Sequence, residues 1–277
     1  MGMRITTNVA AINAQRQLTN SQRNIQNSMA QLSSGYRINR SADDAAGLAI
    51  SENMKAQLRS MAQAKRNAND GISLVSTAEG ALGEISNLST RMRELAVQAS
   101  SDTVGERERG FINLEVQQLK EEVNRIAVTS KWNSVPLLDG TTPLFDIQVG
   151  GNNTSDDRIV YDASQNVATL EGLGLAELDF STKEGARNAI TSLDSSQDSV
   201  SGMRANIGAI QNRLQSTIDT LSITEENMAA ANSRIRDTDV AQASSEMARN
   251  TVMLQAGTAT LAQANQASLL ALKLIGS

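Results

Sequence analysis

The chain has 277 residues, a net charge of −5, and neither cysteine nor histidine. That removes disulfides, thiol nucleophiles, zinc sites of the common kind and imidazole proton shuttles. The acidic balance, with a pI near 5.0, argues against a nucleic-acid partner, which needs a basic face. Aromatic residues are only 2% of the chain, so a core built on large rings is ruled out in favour of helices packed through small and medium side chains. No cofactor-binding pattern accompanies this composition.

The start of the chain has no apolar core of the kind a cleavable signal carries. Met1 to Thr6 matches an N-myristoylation pattern only loosely. The longest apolar run, Leu269 to Ile275, is interrupted by Lys273 and falls well short of the roughly 20 residues that cross a bilayer, so no membrane insertion is expected.

Residues 4–34 carry Ile5, Val9 and Ile12, then Leu18, Ile25 and Leu32 in steps of seven, with Met29 beside them. The flanks are Asn, Gln, Ser and Thr rather than Glu and Lys. Such a helix has a narrow apolar stripe and is marginal alone. Gly35 is placed to cap it. Ser41 with Asp44 reads as a capping box opening a second helix. Met54, Met61, Ala68, Val75 and Leu82 then return in sevens, followed by Ile85, Met92 and Ala99, and by Leu88 and Leu95, in an apparently shifted register. The phase passes through Asp70-Gly71 without slipping, so the helix is expected to continue there. Gly80 and Gly83 suggest close approach of a neighbouring helix. A further helix over 107–128 uses Ile112, Val116, Leu119, Val123 and Ile126.

Residues 131–182 hold both prolines (Pro136, Pro143) and short β-prone runs at Phe145 to Val149 and Arg158 to Tyr161, which read as a small hairpin-rich cap. The longest repeat follows: Leu193, Val200, Ile207, Leu214, Leu221, Met228 and Ile235. It predicts a helix of roughly 65 Å that buries its seam along partners. The last segment steps through Val240, Met247, Leu254, Leu261, Ser268 and Ile275, and resembles the first in its lack of charge. The expected fold is mainly α, a long-helix coiled-coil bundle with a small β-hairpin-rich cap and with the termini paired as an outer helical hairpin. The domain reading nests accordingly: 1–40 and 237–277 form a terminal coiled coil, 41–130 and 183–236 a helical bundle, and 131–182 its hairpin region.

No catalytic constellation emerges. Gly172-Leu173-Gly174 lacks the third glycine of a dinucleotide loop. Asp156-Asp157 reads as a polar turn sooner than a cation site. Glu225-Glu226 and Arg107-Glu108-Arg109 read as solvated faces, and the sequons at Asn87 and Asn152 are of a frequency expected by chance. The informative feature is that both outer helices lack the charge that normally covers an exposed helix. This favours packing on several sides, hence a polymer, over a plain terminal helix pair.

At this point Thr7-Asn8, Ala10-Ala11, the run Leu32 to Ile50, Asn67 to Gly71 and Arg91 to Gln98 resemble the amino-terminal half of bacterial flagellin. Ser233 to Asp239, Gln255 to Gly257 and Leu261 to Asn265 resemble its carboxyl half. The resemblance implies a self-assembling, extracellular subunit of the flagellar filament, secreted through the flagellar type III apparatus. It also implies partners: other copies of the chain, an export chaperone, and the hook-associated and cap proteins. Coiled-coil and subunit contacts are expected at Ile5, Val9, Ile12, Leu18, Ile25, Leu32, Met247, Leu254, Leu261 and Leu272. Arg91, Leu95 and Glu115 match a surface recognised by the vertebrate flagellin-sensing Toll-like receptor; without the resemblance, the two charges read as packing-face residues. Trp132 and Ser134 stand where the family usually has Phe and Gly. The rivals are a hook–filament junction protein of the same superfamily, a cytoplasmic signalling hairpin, and an enzyme; flagellins with a histidine-bearing protease motif are excluded by the absence of histidine.

Overall fold

A computed structural model describes residues 7–141 and 144–275, with side-chain surroundings described as far as residue 266. Ile5 and Pro143 lie outside the described residues, as do the side chains of Ser268, Leu272 and Ile275. In chain order come α1 (Val9–Ser34), α2 (Ala45–Ala99), α3 (Glu106–Thr129), the short strands β1 (Lys131–Trp132) and β2 (Val135–Pro136), and the longer β3 (Leu144–Gln148) and β4 (Arg158–Asp162). A 3-10 turn at Ala163–Gln165 precedes α4 (Lys183–Arg236) and α5 (Val240–Ile275). The chain is thus mainly helical with small antiparallel strand pairs. It divides into two compact units, residues 57–226 and residues 1–56 with 227–277. Both divides fall inside helices, so α2 and α4 each contribute to both units.

In the unit of residues 57–226, the buried face of α2 runs Ala64, Ala68, Gly71, Val75, Ala78, Leu82, Ile85, Ser89, Met92, Ala96, Ala99. The steps alternate between four and three without a break, so there is one seam. What looks in the sequence like a shifted register is the second of its two heptad positions. Helix α4 answers with Ala186, Ala189, Leu193, Ser196, Val200, Ile207, Ile210 and Leu214. The two run antiparallel, as side-chain contacts along their flanks show: Arg93 Nε to Asp194 at 2.6 Å, Gln197 Nε2 to Ser86 Oγ at 2.7 Å, Gln211 Nε2 to Ser76 Oγ at 3.0 Å and Lys65 to Glu225 at 3.1 Å. Helix α3 closes a third side with Ile112, Val116, Val123 and Ala127.

Three local expectations change. Helix α2 starts at Ala45, not Ser41. Asp43 Oδ2 accepts the backbone N–H groups of Asn39 (3.1 Å) and Arg40 (2.9 Å), which holds 41–43 in a turn, and Asp44 then caps by accepting from Gly47 N–H at 2.9 Å. Arg109 is buried rather than solvated. Its guanidinium donates to the carbonyls of Ala99 (2.8 Å) and Ser101 (2.9 Å), satisfying carbonyl groups left over where α2 ends. Gly80 and Gly83 face open space, whereas a Cβ at Gly71 would stand 2.7 Å from Ile147 Cδ1. Close approach therefore occurs at Gly71, against a strand. Helix α2 runs unbroken through Asp70-Gly71, as its phase requires.

The strands lie beyond the end of α3 and alongside α2 and α4. Phe145 pairs with Tyr161 and Ile147 with Ile159 across the β3–β4 ladder, and Asn67 Nδ2 donates to Gln148 O at 3.0 Å. At the tip, Asp157 Oδ2 accepts from Asn152 N–H and Thr154 Oγ1, so this carboxylate staples a turn. Asn133 (φ 46) and Ser134 (φ 70) form the tight turn between β1 and β2. Residues 176–180 return along α3, pinned by Lys120 Nζ, which donates to Ala176 O at 2.7 Å and Leu178 O at 3.3 Å. Burial pushes the Lys120 pKa down, and Asp179 opposes that shift.

The paired terminal helices as a candidate association surface

In the other unit, α1 and α5 pack along their length. Asn8 caps α1 by accepting from Ala11 N–H at 3.0 Å, and Gly35 (φ 74) ends it in the left-handed conformation. The face turned inward is Ala11, Ala14, Leu18, Ser21, Ile25, Ser28, Leu32. On α5 it is Ala243, Met247, Asn250, Leu254, Gly257, Leu261, Ala264. Both alternate three and four. The helices are antiparallel and in close contact: a Cβ on Gly257 would stand 2.8 Å from Leu18 Cδ2, and Asn8 Nδ2 donates to Ala264 O at 2.9 Å.

Stepping in heptads from the Leu18–Gly257 layer sets Ala14 opposite Leu261, Ser21 opposite Leu254, Ile25 opposite Asn250, Ser28 opposite Met247 and Leu32 opposite Ala243. Large meets small in every one of these layers. The small and polar members Ser21, Ser28, Ala243 and Asn250 are buried, while Leu18, Ile25, Leu32, Met247, Leu254 and Leu261 remain half-covered. The heptad spacing marks those six large residues but not Ser21, Ser28 and Asn250, because a polar residue at a seam position carries no hydropathy signal.

Val9 (52% exposed) and Ile12 (55%) are not on this seam. They face outward, with Met29 at 61% and, on α5, Val240, Val252 and Met253. Complete coverage of a side chain of this size contributes about 1.5–3 kcal/mol. The pair therefore presents apolar area on its outside as well as an incompletely covered seam.

The links at the closed end of this hairpin are joined. Tyr36 and Asp237 form an antiparallel bridge, with Arg37 N–H donating to Arg236 O (2.7 Å) and Thr238 N–H to Gly35 O (3.0 Å). The Arg236 guanidinium lies 4.7 Å from the centroid of the Tyr36 ring and pairs with Glu52. Arg37 donates to Ile235 O at 2.7 Å, covering an end carbonyl of α4.

The second candidate surface lies in residues 57–226. Arg91 contacts Glu115 at 2.9 Å and Glu94 at 3.0 Å, and all three side chains are about half exposed. Glu115 first, then Glu94, raises the Arg91 pKa above the ordinary arginine value. Leu95, by contrast, is 2% exposed and belongs to the core. The expectation that Leu95 is part of an exposed surface is thereby corrected, because its side chain is packed in the core, whereas Arg91 and Glu115 are accessible.

A groove of about 650 Å³ between the β3–β4 tip and α2 and α4 is lined by Met61, Leu221, Arg158 and Arg213 among others. Among the described residues no group of three or more acidic side chains could hold a metal ion, and no helix is long and apolar enough to cross a membrane.

Two antiparallel helix pairs, one with a buried seam and one presenting apolar residues outward, define a mainly helical coiled-coil protein. Residues 5–142 match the family model for the bacterial flagellin N-terminal helical region, and residues 190–273 that for the C-terminal helical region. The chain is 46% identical over 264 residues to a flagellin of Halalkalibacterium halodurans, covering 95% of this chain and 96% of that protein. It is 42% identical over 285 residues to flagellar filament core protein flaB2 of Brachyspira hyodysenteriae, covering 99% of this chain and all of that one. The crystal structure of Bacillus cereus flagellin superposes with a TM-score of 0.51 at 31% identity, over 60% of this chain and 94% of that one. The chain belongs to the bacterial flagellin family.

Proposed function

We infer that this flagellin is a structural subunit of the bacterial flagellar filament, an extracellular appendage, and that its paired terminal helices carry the contacts between copies. The observation supporting the second part is the outward apolar set Val9, Ile12, Met29, Val240, Val252 and Met253 beside a half-covered seam. Contacts between unlike faces of identical subunits generate an open helical polymer when the rotation does not close. In that polymer Val9 and Ile12, together with the exposed flanks of Leu18, Ile25, Leu32, Met247, Leu254 and Leu261, are covered by neighbours. The expected contributions of Ile5 and Leu272 belong to the same proposal.

With polar and glycine positions in its seam, the α1–α5 pair orders on assembly, when burial on further faces offsets the lost chain entropy. Before export, the exposed C-terminal stripe is what a chaperone holds; at the filament ends, hook-associated and cap proteins meet the same helices. Arg91 and Glu115 are the residues through which the vertebrate flagellin-sensing Toll-like receptor reads the free chain.

Purified chain added to filament fragments elongates them. A hook–filament junction protein would cap or join without growth, so absence of elongation at all concentrations overturns the filament reading. In the free chain, hydrogen exchange at Leu254 and Leu261 is fast; strong protection there would contradict ordering on assembly. Equal receptor activation by the parent and by Arg91→Ala removes Arg91 from the receptor surface.

A further inference from the structure

We propose that Tyr36, Arg236 and Glu52 form a clasp that sets the register of the α1–α5 pair, and that Arg236 is its positioning residue. The proposal rests on the filament reading above and deepens it. Its ground is a degeneracy in the seam. Large residues recur every seven positions on both helices: Leu18, Ile25 and Leu32 on α1, Met247, Leu254 and Leu261 on α5. Small ones recur between them. If α5 slides by one heptad, Leu18 meets Asn250 or Ala264, Ile25 meets Gly257 or Ala243, and Ser21 meets Met247 or Leu261. Large still meets small in each of these layers. The seam therefore fixes the rotational phase of the helices but discriminates weakly between heptad registers, the ambiguity that polar or terminal devices resolve in coiled coils.

Something outside the repeat must choose, and the two links supply non-repeating contacts at the closed end of the hairpin. The Tyr36–Asp237 bridge holds the last residues before α5 at a fixed offset from the end of α1, as a tight turn fixes the register of a β-hairpin. A two-residue bridge is weak alone. The Arg236 side chain, only 15% exposed, secures it from both sides, lying over the Tyr36 ring and pairing with Glu52 on α2. Gln31 Nε2 donating to Arg37 O ties the same link to α1, and Asn39 Nδ2 donating to Tyr36 O holds the link on itself. A heptad slip displaces α5 by about 10 Å, more than this bridge can follow.

The test uses the full-length chain, which has no cysteine of its own. One form carries Ser21→Cys with Leu254→Cys, the native layer. Two others pair Ser21→Cys with Met247→Cys or Leu261→Cys, the layers of a one-heptad slip. Each is made with and without Tyr36→Ala and Arg236→Gln, elongated on seeds, oxidised, and scored for intramolecular disulfides. With the clasp intact, only the native pair links. Without it, the slipped pairs link as well, or the critical concentration for elongation rises about tenfold, while Trp132 fluorescence reports unchanged unfolding of residues 57–226. Tyr36→Phe keeps the ring and restores parental behaviour. Clasp variants that elongate normally and link only the native pair overturn the proposal. Failure of the parent itself to elongate instead overturns the filament reading.

Discussion

The pair α2–α4 and the pair α1–α5 are both antiparallel, both unbroken in heptad phase, and differ in what fills their layers. In the first, Val75, Leu82, Ile85 and Met92 face a helix carrying Leu193, Val200, Ile207 and Ile210, and α3 with the strands covers the remaining sides, so these residues are buried. In the second, each large residue meets a serine, alanine, asparagine or glycine and stays half-covered. The same periodicity thus yields one pair that carries its own core and another that leaves its large residues half-covered.

The sharpest way to break this contrast is to truncate one large residue in each pair. Leu82→Ala should cost residues 57–226 about 2–5 kcal/mol, seen as a lower urea midpoint by Trp132 fluorescence. Leu254→Ala should leave that midpoint unchanged in the free chain and raise the critical concentration for elongation. Equal midpoint shifts would erase the distinction.

Backbone changes sharpen it at smaller scale. A Cβ at Gly80 meets nothing within 4 Å, so Gly80→Ala should stabilise α2 by about 1 kcal/mol in the same unfolding measurement. Ser134 sits at φ 70, and Ser134→Gly should relieve about 1 kcal/mol of left-handed strain. A loss of stability in either variant would show that these positions are packed.

The smallest effect is acid sensitivity. Asp162, held below its usual pKa by the Ser164 hydroxyl, and Asp179, held down first by Ser181 N–H, are both in the unit of residues 57–226. A depressed carboxylate stabilises the fold above its unfolded pKa, near 3.9, and that contribution disappears as pH falls through the folded value. Asp179→Asn should therefore flatten the decline of the urea midpoint below about pH 4; an unaltered slope would deny Asp179 a part in it.

Much of this was legible from spacing. Heptad phase located the long helices and carried α2 through Asp70-Gly71, because a buried face repeats whatever the local turn propensity. Phase says which face is inward but not what lies against it. It places Leu95 on an apolar face, and only the resemblance puts it on a surface, whereas its side chain lies in the core; Arg109 reads as solvated although it caps the end of α2. Gly80 and Gly83 drew attention that belonged to Gly71, since a glycine's neighbours are set by the fold. Ser21, Ser28 and Asn250 were silent because polar atoms at a seam leave the hydropathy pattern unchanged.

The notch at Gly71 has one further consequence. Ile147 fits there as a key fits a keyway, and successive positions on a helix are rotated by about 100°. Lengthening α2 by a single residue just after that glycine would turn the slot away from the key, relative to the seam from Val75 to Ala99, without removing one apolar atom, so the hairpin would be unseated by angle alone.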